Sequence, residues 1–450
     1  MVKTKPVMRS VFTDPEFMFP IQCIPFLQQE KVDSMIDEKT ADVVVCGAGP
    51  SGLIAAVTAA DAGMNVVLLE RMDNPGRKLL ATGGGHCNIT RDIPIPKLLN
   101  SYFGNATFVK PALKALPPQA LIRFFEQNGL RCRVDTNNQV YPESDKSIDV
   151  LNTFLNKVKS SGVTLYTGCF AQSVVHDGTC FIITCQSGTV IKSKKLVLSC
   201  GGKTYPQLGS DGTGFSLAAS LLHTVKKPLP GLCGLVTSQS WTAECSGLSI
   251  NDASVYIDQG QRLFPQSGAV LFTHRGVSGP AVLDISRCVS RLLDEHSVVS
   301  IRIRPLATMR REEIDNLFIR AQQKEGSKRL RSVLCELLPS RLVKQFFIMC
   351  SVDQEIRCAD VTKGQKLKFL DILDNGIPLT VTGIEKPEFA MVTTGGVQCN
   401  EINCKTMESN KVKGLYFCGE IIDVDGLCGG YNLQWAFASG FLAGKSLSIS

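Results

Sequence analysis

The chain has no run of apolar residues long enough to cross a bilayer as a helix, which takes about 20 in succession, so no membrane partner is expected. It has no clean secretory leader, because Asp14, Pro15 and Glu16 interrupt the apolar stretch near Met1, and it lacks the arginine and serine bias of a transit peptide. None of its 18 cysteines makes a C-x-x-C pair; the nearest neighbours are Cys180 with Cys185 and Cys399 with Cys404. That excludes the common zinc and redox spacings and points to mostly buried free thiols in a reducing, cytoplasmic setting. A strong charge imbalance is also missing. The formal charge of +7 needs only a solvated surface, so a nucleic acid is not an expected partner. A length of 450 residues predicts two or three domains.

What is present is concentrated between Asp42 and Glu70. Asp42 to Cys46 is a short β-branched apolar run, the pattern of a buried parallel strand. Gly47-Ala48-Gly49-Pro50-Ser51-Gly52 follows as a complete G-x-G-x-x-G. Ile54 to Ala62 reads as a helix ended by Gly63, and Val66 to Leu69 as a second strand stopping at Glu70. Gly47 allows the tight turn, Gly49 lets a pyrophosphate approach the backbone, and Gly52 lets the helix pack on the sheet. The helix N-terminus offers free N–H groups to the phosphates, and Glu70 is placed for a ribose. The ordered set of strand, turn, helix, strand and acid predicts adenine-dinucleotide binding.

Past Glu70, Arg77 and Lys78 precede Gly83-Gly84-Gly85, then His86, Cys87 and Asn88. Three glycines are costly to order and suit a loop passing close to a flat ligand, with the two cations near a diphosphate. Helices are predicted over Gln119–Asn128 and Ser147–Ser160, with a turn starting at Val140-Tyr141-Pro142. Thr164–Thr167, Ala171–His176, Cys180–Gln186 and Val190–Lys194 read as an antiparallel meander split by Asp177-Gly178 and Ser187-Gly188. Leu196–Cys200 reads as another parallel strand. Strands are expected at Leu232–Ser238, Ser254–Asp258 and Ala269–Phe272, then a glycine-rich turn into a helix near Pro280. Met309 to Phe347 reads as helical and basic, with Lys328, Arg329 and Arg331 in its densest part. Near the C-terminus a strand closes on Gly419-Glu420, then Asp423 and Gly429-Gly430-Tyr431-Asn432-Leu433 open a last helix. A second helix N-terminus aimed at a ligand favours FAD over NAD, with Glu420 or Asp423 for a ribityl hydroxyl.

Four segments carry a family resemblance: GAGPSGLIAA at 47–56, GRKLLATGGGHCNIT at 76–90, CGGKTYPQLGSDGTG at 200–214 and GLYFCGEIIDVDGLCGGYNLQWAFASG at 414–440. FTHRGVSGPAVL at 272–283 adds to them. Together they resemble the BaiN-like, or YhiN-like, family of bacterial NAD(P)/FAD-dependent oxidoreductases. The resemblance implies an α/β fold: a Rossmann-type FAD-binding domain with inserted β-barrel-like and helical modules. The expected boundaries are 41–227 and 389–450 for the FAD-binding domain, 228–305 for the β-rich module, 306–388 for the helical module and 1–40 for an N-terminal extension.

By the family pattern, Gly47, Ala48, Gly49, Pro50, Ser51 and Gly52 hold the pyrophosphate and Glu70 the adenosine ribose, with Arg71 also expected to bind the cofactor. Lys78, Gly84 and Asn88 lie toward the flavin. Gly201, Gly202, Gly419, Glu420, Asp423, Gly430, Asn432 and Leu433 complete the set. The chain departs at His86, where the family commonly has arginine.

The expected function is an FAD-dependent oxidoreductase moving a hydride to or from a small organic substrate. Some relatives are linked to reduction of bile-acid intermediates. No second complete G-x-G-x-x-G with strand and acid follows, so NADH or NADPH is expected to dock only transiently, or another donor serves. A different class of function is a flavin-binding protein whose basic helical module contacts RNA or a protein. No metal is expected. Catalytic residues and oligomeric state are not assigned; His86, Cys87 and His274 are candidates by position alone.

Overall fold

A computed structural model describes residues 38–103 and 106–449. The expected N-terminal extension lies outside these residues, except that the first strand, β1, begins at Glu38 rather than at Asp42. β1 (Glu38–Cys46), α1 (Pro50–Asp61) and β2 (Val66–Leu69) form the βαβ unit, with Val43 opposite Val66 and Cys46 opposite Leu69 in parallel register. Val43, Val44, Val45 and Leu68 are fully buried, as continuous apolar strands covered on both faces must be.

β3 (Thr164–Tyr166) pairs parallel with β2, so it belongs to the parallel sheet and not to the meander. β4 (Ala171–His176) and β5 (Phe181–Cys185) form the antiparallel hairpin. The two strands expected at 190–194 and 196–200 are one, β6 (Val190–Leu198). Lys194 and Lys195 do not break it: Lys194 points to solvent, and the Lys195 ammonium reaches the carbonyl of Leu447. Sheet order is β3-β2-β1-β6-β5-β4. Val140-Tyr141-Pro142 also lies in a strand, Gln139–Pro142, rather than in a turn.

β7 (Leu235–Thr237), β8 (Ser249–Asp258), β9 (Arg262–Phe272), β10 (Gly276–Ser278), β11 (Val299–Arg304) and β12 (Ile377–Ile384) close a barrel in the order β7-β10-β9-β8-β11-β12. β12 falls in the stretch expected to be helical. Its alternating burial and its pairing to both β11 and β7 complete the cylinder, a long-range demand no local pattern reveals. The helices between β11 and β12 include Arg311–Lys324, Ser340–Cys350 and Lys363–Leu370. α2 (Pro280–Glu295) lies against the barrel with proline in its first turn.

The chain then returns to the first sheet. β13 (Leu415–Phe417) pairs with β6, and α3 (Tyr431–Leu447) packs on α1. The approach is close: a Cβ on Gly440 would lie 2.2 Å from the Ser51 carbonyl oxygen, and one on Gly444 2.6 Å from that of Ala55. Glycine at these positions sets the two helices side by side. Phe154 stacks on Phe437 with centroids 5.5 Å apart, and Phe125 meets both edge-on.

One ion pair fastens the barrel to this region. Arg287 of α2 donates to both oxygens of Asp425 at 2.6 and 2.9 Å and lies 4.1 Å from the Phe103 ring centre. The Asp425 side chain is only 3% exposed. Arg287→Ala strands a buried carboxylate and is expected to cost about 3–5 kcal/mol, read as a lower urea midpoint.

Candidate functional site

At the end of β1 the glycine turn has three different surroundings. Gly47 has φ +105°, and a Cβ there would meet the Ser199 carbonyl at 2.7 Å. A Cβ on Gly52 would sit 1.9 Å from the Gly47 carbonyl oxygen. A Cβ on Gly49 would meet nothing within 4 Å. Two glycines are therefore demanded by packing, and the third borders open space at the start of α1. Pro50 opens that helix, no side chain caps it, and no acid lies in its first turn. Its end is thus left for an external anion.

Glu70 accepts from the amides of Ala48 and Met72, both at 2.9 Å. Burial raises its carboxyl above the ordinary value, against these bonds and the nearby Arg71. Arg71 pairs with Asp211, reaches Thr213 at 3.4 Å and lies 4.9 Å over Phe170. Phe170 and Asp211 carry no motif of their own; only folding brings them to Arg71.

Lys78 donates to Glu420 at 2.7 Å and to Thr204 at 2.8 Å. Glu420 also accepts from the Thr393 amide at 2.7 Å. Gly201 has φ +74°. A Cβ on Gly202 would lie 2.1 Å from Thr393 Oγ1 and 2.6 Å from Glu420 Oε1, so this ion pair presses on the glycine turn. Gly419 has φ +78°, and its Cβ would strike Ser51 Oγ at 2.4 Å, joining this cluster to α1.

Gly83 and Gly84 adopt left-handed φ of +57° and +67°, and a Cβ on Gly84 meets nothing within 4 Å. Asn88 Oδ1 is buried without a hydrogen-bond partner. It lies 2.7 Å from where a Cβ on Gly430 would be, at the N-cap of α3, where φ is +94°. That helix too has no side-chain cap and no acid in its first turn. An unpaired buried carbonyl is costly, and here it faces a helix mouth.

Other expected residues are placed elsewhere. Asp423 does not join Glu420: it accepts from the Gly395 amide at 3.0 Å and pairs with Lys226 at 3.2 Å and Arg291 at 3.7 Å. Asn432 turns back on its own loop, accepting from the Gly426 amide at 2.8 Å and donating to the Gly426 carbonyl at 3.0 Å. Leu433 packs against the main core. His86 is exposed and meets Asp145 at 3.1 Å, which also holds Arg133 at 2.7 Å. Cys87 is fully buried and its thiol is pushed up to about 12 by burial, which keeps it protonated. His274 is exposed on the turn between β9 and β10.

One acid was missed by sequence reasoning. Asp284 of α2 accepts from the Cys428 amide at 2.7 Å, two residues before the N-cap of α3. Arg91 holds the other side of this turn, donating to the Gly429 carbonyl at 3.1 Å and lying 5.3 Å over the Tyr431 ring. Burial raises the Asp284 carboxyl to about 6, against the Cys428 amide and Arg91. The available signal was a carboxylate just past the GVSGPAVL stretch, on a helix otherwise turned to the core.

The family model described as HI0933-like protein Rossmann domain matches residues 41–446. The chain belongs to that family, one of flavin-dependent oxidoreductases. It is 30% identical over 406 residues to a 3-dehydro-bile acid delta(4,6)-reductase of Clostridium scindens, covering 89% of this chain and 98% of that one. It is also 30% identical over 415 residues to a ribosomal RNA dihydrouridine synthase of Escherichia coli, covering 90% and 98%. Among solved structures, 3-ketosteroid delta1-dehydrogenase from Sterolibacterium denitrificans superposes with a TM-score of 0.49 at 12% identity, over 91% of this chain and 100% of that one. Among the described residues no helix is long and apolar enough to cross a membrane, and no cluster of side chains suits a metal ion.

Proposed function

We propose that the protein is an FAD-dependent reductase that saturates a carbon–carbon double bond conjugated to a carbonyl group in a small organic molecule. The cofactor half rests on residues present. The open space at Gly49, the two helix ends without side-chain caps and the unpartnered Asn88 oxygen fit a dinucleotide running from the N-terminus of α1 to that of α3. Gly47 to Gly52 would hold its pyrophosphate and Glu70 its adenosine ribose. Gly84, Asn88 and Gly430 would take the flavin. Bound FAD supplies the hydride.

The substrate half rests on the reactions named for the two relatives. A 3-oxo steroid with 4,6-unsaturation and a uracil ring both carry a double bond conjugated to a carbonyl. Hydrogen adds to each as a hydride at the carbon remote from the carbonyl and a proton at the carbon next to it. The chain must therefore supply an acid. Asp284 is the observation that carries this reading: a largely buried carboxyl, raised toward neutrality, at the turn opening α3. We assign it the proton transfer to substrate carbon. Arg91 keeps the turn in place.

The basic helical module gives little support to an RNA-binding role. Arg310 faces Glu313, Arg311 faces Asp374, Lys328 faces Glu325, Arg329 faces Glu355 and Lys344 faces Glu244 within the ion-pair range. Its positive charge is largely matched by local carboxylates.

The test is an absorption spectrum of purified protein, then anaerobic titration with NADH and NADPH, then mixing of reduced protein with a conjugated steroid enone. Flavin bands that bleach with one nucleotide and return on adding the enone are expected. A colourless protein that cannot be reconstituted removes the FAD assignment. Reoxidation by uridine-containing RNA and not by enones moves the substrate to nucleic acid.

A further inference from the structure

We infer that Cys169 and Cys185 are a peroxide-sensitive dithiol that closes to a disulfide. Their sulfur atoms lie 2.9 Å apart, inside ordinary non-bonded contact. The backbone already pairs the two segments. Ala171 is opposite Cys185 in the β4–β5 hairpin, and the Gln186 amide donates to the Phe170 carbonyl at 2.9 Å. Closure therefore needs a small side-chain movement and no new chain pairing. This arrangement is not a C-x-x-C and was invisible in the sequence, where Cys185 stood closest to Cys180.

The two thiols are not equivalent. Cys169 is half-buried at the start of the hairpin, whereas Cys185 is 1% exposed. The hydrogen bond shared by the two sulfurs, with Lys39 nearby, holds the Cys169 thiol below its ordinary value; burial only partly opposes this. Cys185 is raised, first by that same hydrogen bond and then by burial. The more accessible Cys169 is thus the sulfur that peroxide reaches first, and the buried Cys185 the resolving one.

The chemistry balances with hydrogen peroxide as oxidant. The Cys169 thiolate attacks one peroxide oxygen; an S–O bond forms, the O–O bond breaks, and hydroxide leaves and takes a proton as water. The Cys185 sulfur then attacks the Cys169 sulfenic acid. An S–S bond forms, the S–O bond breaks, and the hydroxyl leaves with the Cys185 proton as a second water. Two thiols are oxidised and one peroxide is reduced.

The pair sits beside the cofactor-facing residues. The Cys169 amide donates to the Glu70 carbonyl at 2.8 Å, and the next residue, Phe170, is the ring under Arg71. Oxidation would tie that segment to β5.

The test uses the full chain as purified. Reductant is removed, one equivalent of hydrogen peroxide is added, free thiols are alkylated, and a non-reduced digest is analysed by mass spectrometry. A Cys169–Cys185 linked peptide that disappears on adding dithiothreitol is expected, with Cys87 and Cys418 unmodified. In Cys185→Ser the reaction is expected to stop at a Cys169 sulfenic acid that a cyclic 1,3-dione captures. Cys169 recovered fully alkylated after peroxide, or linked to a different cysteine, overturns the inference. If Cys185→Ser does not fold, the wild-type digest decides alone. None of these readouts involves flavin, so failure of the reductase reading leaves the result intact.

Discussion

Asp284→Asn is expected to slow turnover by roughly 10²- to 10⁴-fold, the usual contribution of a positioned acid, while anaerobic reduction of the flavin by its donor keeps its wild-type rate. Asparagine preserves the shape of the side chain and its acceptor for the Cys428 amide, but it has no acidic proton to transfer. Stopped-flow measurement of the two half-reactions separates these effects. Equal slowing of both would mean that the substitution had disturbed cofactor binding, and the proton-transfer role would fall.

The same variant has a second signature with the opposite sign. The Asp284 carboxyl is raised from 3.8 to about 6 by burial. A group raised on folding binds more protons in the native state, so its contribution to stability is lost as pH rises through that window. The full linkage is on the order of 3 kcal/mol for a shift of about two units. Asp284→Asn removes this cost. Its thermal midpoint should match or trail wild type near pH 4 and exceed it above pH 6. A residue kept for packing alone would lose both activity and stability at neutral pH.

Gly49→Val is expected to lower flavin affinity by roughly tenfold or more, corresponding to at least about 1.4 kcal/mol, with little change in the stability of the flavin-free protein. The reason is the empty space around its Cβ position, which a pyrophosphate would occupy. Gly52→Ala is the contrasting case. Its methyl group would meet the Gly47 carbonyl at 1.9 Å and Ser199 Oγ at 2.6 Å, so misfolding is expected before any effect on ligand is seen. Flavin content after gel filtration, read beside the thermal midpoint of each apoprotein, distinguishes the two. A Gly49→Val protein that keeps its flavin would displace the pyrophosphate from this turn.

Between Asp42 and Glu70 the sequence was sufficient, because every determinant is local. β-branched residues favour extended backbone, glycines permit the turn, and alanines build the helix. The segments at 76–90 and 414–440 are distant in the sequence, and only the fold brings Asn88 against Gly430. Spacing did not show that Asp423, three residues from Glu420, turns to Lys226 and Arg291. It also gave no warning that Asn432 is occupied by its own loop.

The sequence by itself determined the dinucleotide-type turn and the α/β class. Each follows from spacing that short-range sterics and hydrogen bonding convert directly into backbone shape. Only the tertiary structure decided that Ile377–Ile384 closes the barrel, that Asp284 meets the turn at Cys428, and that Cys169 lies against Cys185. Those contacts join segments far apart along the chain or across a hairpin register. Their energies come from burial and pairing that exist only once the whole chain has packed.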